Sequence, residues 1–175
     1  MRGGKALFAV ALVVIASCGS SAKHSRSTTV TTGSTVAPTI APTPSTVSPE
    51  IGVLEAYVDA FNRGDAHAAA LTFAANARFS TTLGTCSPCV GRSTIEQKLA
   101  AAITAGTKIH IAQPKLSGNT VTGPSSLTSP SFPPGVQRAI GSFSATVSEG
   151  KITQLAQTYD RSDPQTAALF KSLGQ

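Results

Sequence analysis

The chain has few charged and few aromatic residues, 13% and 5% of its 175 positions, and it has no Trp. A hydrophobic core must therefore be built mainly from Ala, Val, Ile and Leu with a few Phe. All eight acidic residues lie from Glu50 onward, where ten Lys and Arg accompany them. Because these cations are scattered singly, without basic runs or interleaved aromatic residues, nucleic acid is not a predicted partner.

Residues 1–17 have the pattern of a secretory signal peptide. Arg2 and Lys5 supply positive charge before an apolar run of eleven residues, 6–16. Such a run is too short to cross a bilayer comfortably, but it has the length of the apolar part of a signal peptide. The sequence therefore predicts an exported protein.

The apolar run ends in Ile-Ala-Ser-Cys-Gly, residues 15–19, which resembles the bacterial lipobox. That resemblance implies that the peptide is cut before Cys18 and that Cys18 carries a lipid. Two alternatives remain, namely cleavage by an ordinary signal peptidase after Ala22 and an uncleaved anchor. We expect an extracytoplasmic lipoprotein that acyl chains hold at the bacterial cell membrane.

Residues 18–49 are predicted to comprise the lipidated Cys and a disordered tether. Ser, Thr and Pro occupy 19 of the 31 positions in 19–49, and no acidic residue occurs there. A segment of this composition buries too little apolar surface to offset the entropy cost of ordering it. The folded domain is therefore expected at residues 50–175.

The segment 54–79 predicts two helices and the start of a strand. In the first helix, apolar residues recur at helical spacing, among them Tyr57 and Phe61. Gly64 fits the left-handed residue that ends a helix, and Asp65 can cap the next one. The second helix is Ala-rich and is expected to include Phe73 and to end near Asn76. Strand-like alternation follows over residues 78–80.

The remaining sequence predicts one helix, several strands and a terminal helix. A capping box at residues 93–96 begins the third helix. Alternation over 108–112 predicts a strand, whereas Pro124 and Pro130 make 120–131 a loop or a poor edge strand. Residues 137–147 and 152–159 form a hairpin pattern. Asp163 then caps a final helix, so the order of elements is α+β.

The sequence AYVDAFNRGDAHAAALTFAANARF, residues 56–79, resembles the opening of the nuclear transport factor 2-like superfamily, in particular its SnoaL-like and ketosteroid-isomerase-like branches. The resemblance implies a cone-shaped, curved antiparallel sheet wrapped around N-terminal helices. In such a cone Tyr57, Phe61, Phe73 and Phe79 would wall an apolar pocket. The open face of such sheets often mediates homodimers.

The ketosteroid-isomerase-like branch offers a test for catalysis. Tyr57 matches a Tyr that donates a hydrogen bond to an oxyanion in that branch. The branch also needs an Asp base, which would fall on Thr81, and a second Asp, which would fall near Ser142 or Phe143. None of these residues can replace a carboxylate. We therefore predict no catalytic residue, no metal and no cofactor.

Cys86 and Cys89 are the cysteine pair of the predicted domain. A Cys-Ser-Pro-Cys sequence is also found as a redox dithiol in thioredoxin-like enzymes, where the first Cys begins a helix. Here three residues precede the next helix cap, and no parallel βαβ pattern surrounds the pair. In an exported protein these features favour a structural disulfide.

Two functions remain open. The first is a non-catalytic cone domain that binds an apolar small molecule or docks an envelope protein. The second is a SnoaL-like isomerase or cyclase that uses Tyr57 and His110. His110 lies in a predicted strand and is a candidate pocket residue, although its alternation with Ile109 and Ile111 fits a solvent-facing side chain better. The missing strand carboxylates favour the first function.

Overall fold

The computed structural model describes residues 48–84 and 86–175. The predicted signal peptide, the lipid attachment at Cys18 and most of the predicted tether lie outside these residues. The described helices and strands are α1 Pro49–Arg63, α2 Ala66–Leu71, β1 Phe73–Thr81, β2 Cys89–Val90, α3 Arg92–Thr104, β3 Lys108–Ile111, β4 Lys115–Ser117, β5 Thr120–Thr128, β6 Ala139–Ser148, β7 Lys151–Tyr159 and α4 Pro164–Ser172. None of these helices is long and apolar enough to cross a membrane.

Local signals place the first helix where the sequence predicts it. Ser48 caps α1 by accepting a hydrogen bond from a first-turn N–H at 3.3 Å, and Pro49 takes the first helical position. Gly64 ends the helix with φ 89°, a left-handed conformation that glycine adopts without strain. Asp65 then caps α2, accepting a backbone N–H at 2.8 Å. The predicted roles of Gly64 and Asp65 are confirmed.

The second helix is shorter than predicted. It ends at Leu71 rather than near Asn76, and the prediction that Phe73 lies on it is wrong. The carbonyl of Thr72 accepts a hydrogen bond from the Ile152 N–H at 2.9 Å, next to the first register pair of β1 with β7. Pairing with a distant strand therefore overrides the helix preference of the Ala-rich sequence.

The third helix begins without the predicted capping box. Gly91, with φ 88°, is its N-cap, and no side chain caps it. Because the helix already begins at Arg92, Ser93 lies inside the first turn and cannot act as the cap. Glu96 instead contacts the ring Nδ1 of His67 at 3.0 Å, which links α3 to α2.

Residues 120–128 form an internal strand, which corrects the prediction of a loop or poor edge strand. β5 pairs with β6 along most of its length and with β3 and β4 on its other side. The carbonyl of Pro124 accepts a hydrogen bond from the Ala112 N–H at 3.1 Å. The N–H and C=O of one strand residue point to the same side, so the missing N–H of Pro124 faces the gap between β3 and β4.

The seven described strands form one curved, unclosed sheet in the order β2-β1-β7-β6-β5-β3, with β4 also paired to β5. All pairs are antiparallel except β1 with β7. The predicted hairpin joins β6 to β7 through Glu149 and Gly150, both with positive φ, as tight hairpin turns require. The predicted α+β fold class is confirmed.

Helices α1 and α3 pack against one side of the sheet, which we call the helix-facing side. Phe79, Phe143 and Leu155 are buried there. The Asn62 side chain fixes the end of α1 to the edge of the sheet, since it donates to the Ile109 carbonyl at 2.7 Å and accepts from the Ile109 N–H at 2.9 Å. A second buried cluster lies under α4 and consists of Val136, Ala139, Tyr159, Leu169 and Phe170.

Candidate functional site

A cavity of about 220 Å³ lies between α1, α3 and the helix-facing side of the sheet. Its wall comes from six elements and from the turn after β1. The lining residues of the described chain are Tyr57, Phe61, Phe79, Thr81, Leu83, Gly84, Cys86, Lys98, Leu99, Ala102, Ile109, Leu127 and Gln157. The cavity is therefore mainly apolar, with a few polar side chains from α1, α3, β1 and β7.

The structure brings three of the predicted pocket residues to this cavity, Tyr57, Phe61 and Phe79. Phe73 lies behind them: it is fully buried, and its ring packs edge-on against Tyr57 with 5.3 Å between ring centroids. His110 is exposed on the opposite, outward side of the sheet. The side-chain alternation of strands explains this, because its neighbour Ile109 faces the cavity.

Several lining residues were not identified from the sequence. Leu99 and Ala102 lie on the buried stripe of α3, and Leu127 and Gln157 lie on β5 and β7. The apolar spacing of α3 and the alternation of 152–159 were visible signals for two of these elements. For Leu127 no such signal existed, because Pro124 and Pro130 led to the prediction of a loop or a poor edge strand there.

Tyr57 carries the unusual electrostatic feature of the cavity wall. Its hydroxyl oxygen is buried and has no hydrogen-bond partner in the described chain. Burial raises the pKa of the Tyr57 hydroxyl far above its ordinary value, because an ionised phenolate would lose its hydration. At neutral pH this hydroxyl is therefore protonated and able to donate a hydrogen bond.

A wider and more open cleft of about 780 Å³ lies on the outward side of the sheet. Short side chains from β5, β6 and β7 form its floor, including Ser126, Ser142 and Thr158. His110 borders this cleft, and Arg138 and Arg161 lie at the ends of the neighbouring strands. Arg161 stacks on the ring of Phe170, with 4.0 Å from its guanidinium carbon to the ring centroid.

No protein-family model matches the sequence, and no curated protein matches it. Solved structures do match. A nuclear transport factor 2-like protein of unknown function from Cytophaga hutchinsonii is 15% identical with a TM-score of 0.54, over 69% of this chain and 96% of that chain. A candidate polyketide cyclase from Sinorhizobium meliloti is 20% identical with a TM-score of 0.52, over 61% and 93%. A protein with a ketosteroid isomerase-like fold from Catenulispora acidiphila, in complex with trimethylamine, is 16% identical with a TM-score of 0.56, over 67% and 90%.

The chain has the nuclear transport factor 2-like fold. At these identities the likeness shows the fold alone. The resemblance inferred from residues 56–79 is thus confirmed at the level of architecture.

The described lining of the cavity contains no Asp, Glu or His. Thr81 lies in the wall, at the position that the resemblance assigns to a general base, and its hydroxyl accepts the Leu83 N–H at 3.2 Å. Ser142 points outward, and Phe143 is buried with its ring close to Gly123. No group of three or more His, Cys, Asp or Glu in the described part of the domain could hold a metal ion.

Cys86 and Cys89 form a disulfide, as the sequence predicts. Phe79 of β1 pairs with Cys89, and the Thr81 N–H donates to the Cys86 carbonyl at 2.9 Å, so the bond closes the turn between β1 and β2. Cys86 also contributes to the cavity wall. This disulfide therefore braces one edge of the cavity.

Proposed function

We propose that the nuclear transport factor 2-like domain binds a small, largely apolar molecule in the cavity beneath α1. The observation that carries the proposal is the Tyr57 hydroxyl, a buried donor without a partner in the wall of an apolar cavity. A buried polar group of this kind costs about 1–3 kcal/mol while it is unpaired. A ligand with one acceptor atom would pair it, and burial of the ligand's apolar surface would supply most of the affinity.

The size of the cavity limits the ligand. Ligand pockets commonly have volumes of roughly 300–1,000 Å³, whereas this cavity has about 220 Å³. An apolar cavity of about 150 Å³ is enough to hold benzene. We therefore expect a ligand of about one substituted ring rather than four fused rings.

A titration of the purified protein with single-ring compounds tests this function. We expect protein-detected NMR to show saturable shifts at residues around the cavity. Ala102→Phe, which places a large ring in the cavity, should weaken binding at least roughly tenfold, as expected when a steric clash removes most of the apolar contact. Ala101→Phe is the matched control, because Ala101 is exposed on the same helix. Equal binding by both variants would contradict the proposal.

A second candidate is catalysis of the SnoaL-like or isomerase type. It is supported by the fold of the neighbouring structures and by the position of Tyr57. Proton abstraction requires a positioned base, however, and Thr81 cannot accept a proton at neutral pH. We expect no isomerisation of a 3-oxo-Δ5-steroid by the wild-type protein, because it lacks this base and because the cavity of about 220 Å³ is small for four fused rings. Thr81→Asp would be needed before any turnover appears. Wild-type turnover that Tyr57→Phe abolishes would favour the enzyme instead.

We also propose that the domain is anchored outside the cytoplasm by a lipid on Cys18, with residues 19–47 as its tether, because Ser48 and Pro49 are the cap and first residue of α1. The lipobox-like sequence after a short apolar run supports this proposal. Cys18→Ala should release the protein from membranes or block its processing, measured by membrane fractionation and by its migration on a gel. Docking of an envelope protein stays a prediction from the sequence, and formation of a homodimer stays a prediction from the resemblance.

A further inference from the structure

Tyr57 is one of three similar groups. In the described chain, three buried side-chain oxygens have no hydrogen-bond partner, and they are the hydroxyls of Tyr57, Ser125 and Tyr159. Native proteins leave few buried polar groups unpaired, since each costs about 1–3 kcal/mol. Three hydroxyls of this kind in one part of a small domain point to a polar group that binds among them.

The strand register places Ser125 and Tyr159 on the cavity side. Ser125 pairs with Gly141 of β6, and Gly141 pairs with Tyr159 of β7, so the three residues form one row across the sheet. Two residues away along β5 and β7 lie Leu127 and Gln157, which line the cavity. Alternate residues of a strand share a face, so the side chains of Ser125 and Tyr159 point to that face, although both residues also border the outward cleft between neighbours whose side chains point outward. Gly141 has no side chain, and none stands between them in the row.

Tyr159 and Tyr57 share one electrostatic environment. The pKa of the Tyr159 hydroxyl is raised first by burial and then by repulsion between its charged form and that of Tyr57. Tyr57 lines the cavity together with Gln157, the same-face neighbour of Tyr159, so the two phenols lie in neighbouring parts of the domain although one comes from α1 and the other from β7. Both therefore stay neutral at neutral pH, and both can donate hydrogen bonds.

We propose that the hydroxyls of Tyr57, Ser125 and Tyr159 form one hydroxyl cluster that recognises an uncharged oxygen acceptor, such as a carbonyl, on the cavity ligand. The proposal rests on the proposed function and names the chemistry of its ligand. A carbonyl oxygen has two lone pairs and can accept two of these donors. The three hydroxyls carry no charge at neutral pH, so they suit an uncharged acceptor, and Lys98 of the cavity wall is not part of the cluster.

The test compares two ligands of similar shape, cyclohexanone and methylenecyclohexane, in which a CH₂ group replaces the oxygen. Their dissociation constants are measured by protein-detected NMR on the full mature protein. The ratio of the ketone's affinity to the hydrocarbon's affinity isolates the contribution of the oxygen. Ser125→Ala and Tyr159→Phe should each lower this ratio about fivefold, as expected when one net hydrogen bond is lost.

The chain offers matched controls for both substitutions. Ser126 and Thr158 are the sequence neighbours of the cluster residues, and strand alternation turns their side chains to the outward side. Ser126→Ala and Thr158→Val should leave the affinity ratio unchanged. If both probes bind but Ser125→Ala and Tyr159→Phe do not alter the ratio, the hydroxyl cluster is overturned and the proposed function stands. If neither probe binds the wild-type protein, both are overturned.

Thermal unfolding without ligand gives a second, independent measurement. Removing an unpaired hydroxyl also removes the cost of burying it. We therefore expect Ser125→Ala and Tyr159→Phe to leave Tm unchanged or to raise it. A clear fall in Tm, or a failure to fold, would show that the hydroxyl serves the structure through a bond of its own and would overturn the assignment.

Discussion

Polar side chains on the two sides of the sheet differ in their burial and in their hydrogen bonding. On the outward side, the larger opening of about 780 Å³ is bordered by exposed polar side chains such as Thr158 and by paired ones such as Asp160, which accepts hydrogen bonds from Ser162. Ser125 and Tyr159 border this opening too, although strand alternation turns their side chains to the other side of the sheet. On the helix-facing side, the opening has only about 220 Å³, yet the hydroxyls of Tyr57, Ser125 and Tyr159 are buried and unpaired. The volume of an opening is therefore a weaker guide to function than the state of the polar atoms near it.

The largest expected difference between the two sides is in packing. Leu155 is buried on the helix-facing side of β7, whereas Thr158 is exposed on its outward side. Leu155→Ala should lower the free energy of unfolding by about 2–5 kcal/mol, because it removes buried methyl groups and leaves a void. Thr158→Ala should change it by no more than about 0.5 kcal/mol. Urea unfolding measures both, and similar values would contradict the assignment of the two sides.

A substitution within the sheet itself, at Gly141 of β6, should have the next largest effect on the free energy of unfolding. A Cβ atom on Gly141 would overlap the Thr158 carbonyl oxygen, which belongs to the rigid backbone of β7. Gly141→Ala should therefore cost about 1–3 kcal/mol in the same urea experiment. Gly52→Ala is the control, because a Cβ there meets no neighbour and alanine favours α1. A stable Gly141→Ala protein would show that β6 and β7 can separate without cost.

The helices and the hairpin could be predicted because their signals are local. Ser48, Gly64 and Asp163 each act on backbone groups within one turn of themselves. Two of the features that were predicted wrongly depend on distant partners, whereas the capping box at residues 93–96 is a local signal that failed. The end of α2 is set by β7, and the strand character of 120–128 is set by neighbours on both sides, which satisfy the backbone despite Pro124.

The residues of the candidate site also divide into those that a local sequence signal indicates and those that depend on distant strands. Tyr57 and Phe61 follow from the apolar stripe of α1, and Phe79 follows from the strand alternation after it. The hydroxyl cluster could not be predicted, because it depends on the register of β5, β6 and β7 and on where α1 crosses them. A serine in a Pro-containing segment and a tyrosine at a strand end gave no local indication of shared burial.

Breaking the disulfide, at the edge of the cavity on the helix-facing side, should lower the free energy of unfolding only modestly. Cys86 and Cys89 close a short loop, which restricts the unfolded chain little. Joint replacement by Ser should therefore cost at most ~2 kcal/mol of unfolding free energy. Because Cys86 lines the cavity, we also expect a small loss of ligand affinity. Free thiols, found by alkylation and mass spectrometry on freshly isolated protein, would contradict the disulfide.

The smallest effect is expected at His110, on the outward side. His110 is exposed on β3 opposite Ser126, while its neighbour Ile109 lines the cavity, so the imidazole and the ligand are on different sides of the sheet. His110→Ala should therefore leave ligand affinity unchanged, whereas Ile109→Ala, the matched variant on the same strand, should reduce it. Histidine is the side chain that ordinarily changes charge between pH 5 and 8.

The same geometry predicts how ligand binding depends on pH. The cavity lining contains no His, Asp or Glu in the described chain, and burial keeps the pKa of both Tyr57 and Tyr159 well above neutrality. Between pH 5.5 and 8, roughly the range in which histidine titrates, no group that contacts the ligand should therefore gain or lose a proton. NMR titrations across this range should give one dissociation constant. A loss of affinity toward acid that His110→Ala removes would place the histidine at the ligand after all, and the separation of the two sides of the sheet would fail.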